Sequence, residues 1–131
     1  MKKQGLLNKE LNTVIASLGH TDTIVIADCG LPIPSDVPRI DLSLVKGEPP
    51  FLRVVDAILD EMVVESITLA EEIKEQNKTI HTKLKDRFAE TPITYVPHDE
   101  FKQMMDSAKA VIRTGEATPY ANVILHAGVN F

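Results

Sequence analysis

Four apolar residues in succession, Ile24-Val25-Ile26-Ala27, closed at once by Asp28-Cys29-Gly30, constrain the fold more than any other segment. A strand that alternates apolar and polar side chains can face water on one side, whereas an unbroken apolar strand has to be covered on both. Helical segments to provide that cover are legible. Leu7, Leu11, Val14, Ile15 and Leu18 fall on one helical face, with Asn8 placed as the N-cap and Gly19 as the C-terminal glycine. Pro49-Pro50 opens a second helix that presents Phe51, Val54, Val55, Ile58, Leu59 and Met62 together. A third, starting at about His98, buries Phe101, Met104, Met105 and Ala108.

The remaining strands are shorter or less regular. Arg39 to Leu44 alternates, with Ile40, Leu42 and Leu44 on one face, and reads as a half-buried strand. Val63 to Leu69, Ile93 to Val96, Ala110 to Ile112 and Val123 to Leu125 complete the set. Pro32, Pro34 and Pro38 keep Leu31 to Pro38 out of regular structure. Residues 71–90, rich in Glu and Lys, read as a solvated helix whose charge pattern signifies an exposed surface. Strands and helices alternate loosely, which indicates an α/β fold, and 131 residues without a linker or repeat fit one domain spanning 1–131.

Composition narrows the function classes. There are 19 acidic and 14 basic residues, a formal charge of -5, and no long basic run. Phosphate contacts need clustered Lys and Arg, so a nucleic-acid partner is disfavoured. Met1-Lys2-Lys3 has the look of a signal n-region, but Asn8, Lys9, Glu10 and Asn12 interrupt the apolar core that should follow. No stretch approaches the ~20 apolar residues that span a bilayer. A cytoplasmic protein without a membrane partner is the expectation. Cys29 is the only cysteine, which rules out an intramolecular disulfide and a thiolate metal cluster and suits a reducing compartment. It reads as a small buried hydrophobe rather than a nucleophile.

The chain has no Gly-rich phosphate loop, nucleophile elbow or zinc-protease helix. What remains are polar residues at element ends, where pockets form. His20 follows a helix C-terminus, whose dipole favours imidazolium, and Asp22 is near enough in sequence to orient its ring. By position alone, a histidine that merely caps the helix is the favoured reading. Asp28 closes the apolar strand, where ligands bind in open α/β sheets, and suits a sugar hydroxyl as readily as it suits a loop cap. His98 and Lys102, four apart, share a helix face and could border a cleft, or be a helix-start histidine and a solvated lysine. Tyr120 and Asn122 border the last strand. A tyrosine can cover a sugar face and an amide can read a hydroxyl, and both can equally fix a hairpin corner. Arg113 and Glu116 read as loop-stabilising partners, His81 as an exposed helical residue and His126 as a satisfied sheet residue. A metal site drawn from His20, Asp22, Asp28, His98, Asp99 and Glu100 stays a minor alternative, since no local spacing matches a ligand motif.

Three separated segments, in order, resemble the ribose pyranase and fucose mutarotase family. They are Gly19-His20-Thr21-Asp22 with Ile24 to Asp28 and Gly30-Leu31-Pro32-Ile33-Pro34; His98 to Lys102; and Ala110 to Glu116 with Pro119-Tyr120-Ala121-Asn122-Val123-Ile124-Leu125. The likeness runs to Phe131, while Ile73 to Ile93 carries no motif of the family. The resemblance implies a mixed sheet flanked by helices, no metal or organic cofactor, and ring-shaped oligomers. In the pyranase branch, which the Tyr120-Ala121-Asn122 form favours, the rings stack as a decamer with the sugar cleft between neighbouring subunits. It further implies that His20 is the general acid and that Asp28, His98, Tyr120 and Asn122, joined by Lys102, bind sugar.

The implied reaction, interconversion of the pyranose and furanose forms of D-ribose to supply furanose for phosphorylation, suits so sparse a toolkit. It involves no redox step and no covalent intermediate, and sugar rings already open unaided in water. One positioned acid or base, contributing ~10²–10⁴-fold, is then enough. Three alternatives stay open from sequence: a non-catalytic sugar-binding module, a mutarotase of a related sugar such as fucose, and a metal-dependent isomerase.

Overall fold

In the computed structural model, which describes Met1–Phe131, the apolar run is strand β1 (Thr23–Ala27), and Ile24 to Ala27 are all fully buried. The reason is the expected one. Ile24 and Ile26 point into a cluster of 19 buried residues on one face of the sheet, while Val25 and Ala27 point into a second cluster of 10 on the other. The first face is covered by α1 (Lys9–Ser17), α2 (Phe51–Leu59), α3 (Ile73–Gln76) and α4 (Lys78–Arg87), which contribute Leu11, Phe51, Val55, Ile58, Ile73 and Leu84. The second is covered by α5 (His98–Met104) with the 3₁₀ turn that follows it, and by the irregular Leu31–Val37 segment.

The sheet is mixed and six-stranded. Beside β1 it contains β2 (Arg39–Asp41), β3 (Val64–Ala70), β4 (Ile93–Val96), β5 (Ala110–Arg113) and β6 (Val123–Ala127), in the order β2-β5-β1-β6-β3-β4. All neighbours run parallel except at β6, which lies antiparallel between β1 and β3. One consequence governs the site: the start of β6 meets the carboxyl ends of β1 and β3. No helix is long and apolar enough to cross a membrane.

Several expectations need correction. Asn8 does cap α1, its side chain accepting from Leu11 N, but Leu7 precedes the helix and is 71% exposed. Gly19 is not a left-handed helix stop. The helix ends at Ser17 with Leu18 extended, and Thr21 takes the left-handed conformation instead (φ 72°). The alternating strand stops at Asp41, because Asp41 Oδ1 accepts from Ser43 N and turns the chain, leaving Leu44 exposed. The charged segment 71–90 is two helices, not a merely solvated one. Its amphipathic pattern buries Ile73, Ile80, Leu84 and Phe88 in the larger core while Glu and Lys face outward. Cys29 is only half-buried.

Candidate functional site

At the carboxyl edge of the parallel strands, Asp28 leaves β1 and meets Asn122 at the start of β6. Asn122 is fully buried. Its Oδ1 accepts from Asp28 N at 2.8 Å and its Nδ2 donates to Asp28 Oδ2 at 3.0 Å. Asp28 Oδ1 accepts from Gly30 N at 2.9 Å. The carboxylate is thus fixed at both oxygens and keeps lone pairs for further donors. Asn122 acts on Asp28 first, with one amide hydrogen left for anything else.

Tyr120 reaches the same edge through a left-handed backbone (φ 56°), uncommon for a bulky residue. Its loop is held from outside: Asn77 Nδ2 donates to Pro119 O at 2.8 Å and to Thr118 Oγ1 at 2.9 Å. The Tyr120 ring meets the His98 ring edge-on, 5.0 Å between centroids, and His98 stacks on Phe101. His98 begins α5 behind Pro97, which has no capping side chain. Glu72 takes that part, both its carboxylate oxygens accepting from His98 N at 3.1 Å. His98 Nδ1 is buried and has no partner within the chain. Burying such an atom unpaired costs about 1–3 kcal/mol, so this nitrogen calls for a partner that the chain itself does not supply. Lys102, one turn along α5, forms an ion pair with Asp99 at 3.1 Å and is 37% exposed.

His20 lies elsewhere. It precedes β1, at the amino edge of the sheet, and the five-residue strand sets it roughly 15 Å or more from Asp28. Asp22 does not orient its ring. Asp22 Oδ2 accepts from Gly19 N at 2.8 Å, closing the turn, and Lys109 Nζ stands 3.8 Å from its other oxygen. The partner of His20 is Glu65 on β3, whose Oε2 lies 2.8 Å from Nε2. A groove of about 450 Å³ opens beside His20, walled by Ile15, Leu18, Met62, Val63 and the C-terminal residues Val129 and Phe131.

The structure therefore brings Asp28, His98, Tyr120 and Asn122 to one edge, Lys102 flanking them on α5, and sets His20 at the other. The residues of the minor metal alternative do not converge, and no group of three or more His, Cys, Asp or Glu side chains is placed to hold an ion. Glu65, Glu72 and Asn77 escape sequence reasoning because each acts on a residue tens of positions away. Arg113 and Glu116 are loop partners as expected. Arg113 donates to Cys29 O and pairs with Asp41, and Glu116 accepts from Phe51 N. His126 is a satisfied sheet residue, its Nε2 2.9 Å from Thr68 Oγ1, and burial lowers its pKa. His81 is not exposed as expected. It is half-buried with Nε2 2.7 Å from the Tyr95 hydroxyl, and burial, reinforced by Lys85 and Lys74, lowers its pKa.

The fold and these residues define an α/β domain with a polar cluster at the carboxyl edge of its sheet and a histidine–carboxylate pair at the amino edge. The chain belongs to the RbsD / FucU transport protein family, which matches residues 1–130. It is 68% identical over 131 residues to the D-ribose pyranase of Geobacillus thermodenitrificans, covering 100% of this chain and 99% of that one. The structure of Bacillus subtilis RbsD complexed with D-ribose superposes with a TM-score of 0.98 at 53% identity, covering 100% of both chains. The fucose mutarotase of Streptococcus pneumoniae, in complex with L-fucose, superposes with a TM-score of 0.82 at 26% identity and 95% coverage of each.

Proposed function

We propose that this protein is a cytoplasmic D-ribose mutarotase, an isomerase that interconverts the pyranose and furanose forms and so supplies furanose for phosphorylation. The observation that carries the reading is the unpartnered, buried His98 Nδ1 beside Tyr120, on the same sheet edge as the fixed Asp28 carboxylate. The full-length relationship to D-ribose pyranases supports ribose over fucose as the sugar.

In this reading Asp28 and His98 take sugar hydroxyls, Asn122 holds Asp28 and offers its remaining N–H, and Tyr120 closes over the ring. Lys102 adds a cation at the rim. His20 of the same chain is too far away to reach that sugar. A neighbouring subunit supplies it, and each site joins the carboxyl edge of one protomer to the amino edge of the next. Such a head-to-tail contact closes into a ring, and stacked rings give the decamer. The chemistry needs only proton transfer. His20 accepts the anomeric hydroxyl proton as C1–O becomes a carbonyl, the bond from C1 to the ring oxygen breaks, and His20 returns the proton to that oxygen. A different hydroxyl then closes on the aldehyde by the reverse steps. No redox change or covalent intermediate occurs, so neither a metal nor an organic cofactor is required.

Saturation-transfer NMR on equilibrated D-ribose tests the proposal. Faster pyranose–furanose exchange, indifferent to a chelator and lost in His20→Ala, is the expected result. Ribose binding without faster exchange would establish a non-catalytic binding module, and chelator sensitivity would establish a metal-dependent isomerase.

A further inference from the structure

We propose that Glu65 is the positioning residue of His20, holding its Nε2–H so that Nδ1 is the nitrogen that exchanges the proton with the sugar. The inference rests on the reading of His20 as the proton carrier and adds which ring nitrogen works and what holds it.

The geometry is specific. Glu65 Oε2 lies 2.8 Å from His20 Nε2, the length of a charge-assisted hydrogen bond. An ionised carboxylate only accepts, so Nε2 carries the hydrogen in both the neutral ring and the imidazolium. In the neutral ring the lone pair is then on Nδ1, the atom able to take the anomeric proton. The two residues come from different strands, and the fold leaves little room for another pairing. His20 sits in the turn before β1, a turn pinned by Thr21 N donating to Ala127 O at 2.9 Å and by the Asp22–Gly19 bond. Glu65 is the second residue of β3, which shares β6 with β1, and both strands run the same way. Their amino ends are therefore adjacent across β6.

Within the protomer the ring has no other hydrogen-bond partner. Its side chain is 53% exposed and that of Glu65 is 43% exposed. Within the protomer, Glu65 alone fixes which nitrogen the imidazole turns toward a neighbouring subunit. Glu65 has no other side-chain partner among the salt bridges of the chain, so its hydrogen bond to His20 is not a by-product of a larger network. The pair also accounts for the proton cycle. The carboxylate stabilises the imidazolium formed when Nδ1 takes the anomeric proton, and the proton leaves Nδ1 for the ring oxygen on the same sugar carbon. Nothing is consumed.

The test compares Glu65→Gln, Glu65→Ala, His20→Ala and the double variant His20→Ala/Glu65→Gln by saturation-transfer NMR, after confirming unchanged circular dichroism and assembly size. Both Glu65 variants are expected to slow exchange at saturating ribose about 2–5-fold, the size of effect a half-exposed charged pair supports. The ribose concentration for half-saturation stays unchanged, because Glu65 does not touch the sugar. The double variant should be no slower than His20→Ala alone. Wild-type exchange in both Glu65 variants, or a Glu65→Gln effect that persists undiminished in the His20→Ala background, overturns the proposal while leaving His20 in place. Full activity in His20→Ala instead removes the reading on which the proposal rests.

Discussion

Replacing Asn122 by Ala removes two hydrogen bonds that fix Asp28, and the structure sets the size of the loss. Asp28 N gives up its 2.8 Å acceptor, a neutral bond with a net contribution of about 1 kcal/mol. Asp28 Oδ2 gives up its 3.0 Å donor, a bond to a charged group contributing about 1.5–3 kcal/mol. Asp28 is itself half-exposed, so water can replace part of both, which places the net loss at the low end, about 2 kcal/mol. Urea unfolding at fixed protomer concentration, a precaution an oligomer demands, measures it. With a slope of ~1–3 kcal/mol/M the midpoint should fall by about 1 M at unchanged slope. Half-saturation by ribose should also rise, because the carboxylate is no longer aimed. A midpoint within experimental error of wild type, corresponding to less than about 0.5 kcal/mol, would refute the reasoning that Asn122 is first of all a strut for Asp28.

Three further outcomes follow from other parts of the fold. Gly115 is buried with its backbone against that of Glu48, where an added Cβ would overlap backbone atoms, so Gly115→Ala should lower the thermal midpoint by several degrees, an overpacking loss of about 1–3 kcal/mol. Burial lowers the pKa of both His81 and His126, so the unfolded chain binds more protons below the ordinary histidine value of 6.5. Their stabilising contribution is therefore complete above pH 6.5 and is lost as pH falls through the folded-state values. His126→Gln should flatten that acid-side loss in thermal melts, and an unchanged pH slope would contradict it. Arg87 donates from two nitrogens to both Asp56 oxygens, but both side chains are partly exposed, so Arg87→Ala should cost no more than about 1 kcal/mol by urea titration, less in high salt.

The parts of this fold that sequence made legible are those with local causes. The unbroken β1 run demands cover on both faces, and β1 has it. Proline at 49 and 50 and the spacing of Phe51, Val54, Val55 and Ile58 predict the start and buried face of α2, although the helix ends at Leu59 and Met62 joins the core from beyond it. Misreadings arise where a long-range contact overrides a local signal. Leu44 alternates correctly but is turned outward once Asp41 captures Ser43. The Glu and Lys density of 71–90 hides four buried apolar residues, because outward charges dominate composition while inward Ile73, Ile80, Leu84 and Phe88 decide packing. The site divides the same way. Asp28, Tyr120 and Asn122 announce themselves as polar residues at strand ends, and β6 brings them together. Glu65 and Glu72 do not, since only strand order across the sheet places them beside His20 and His98. Asp22 was the nearest carboxylate in sequence to His20, and the turn that holds His20 uses it for its own closure.

That His20 and Asp28 belong to opposite edges of one protomer, yet serve one sugar, is the central claim, and mixing subunits tests it most directly. His20→Ala and Asp28→Asn chains are each assembled alone and then co-assembled in equal amounts, and ribose exchange is measured by saturation-transfer NMR. Each variant alone should be inactive. If the site joins two subunits head to tail, about a quarter of the mixed contacts pair an intact His20 with an intact Asp28, and exchange returns to about a quarter of the wild-type rate. Mixed assemblies as inactive as their parents would contradict the account, because a site built within one chain gains nothing from a neighbour.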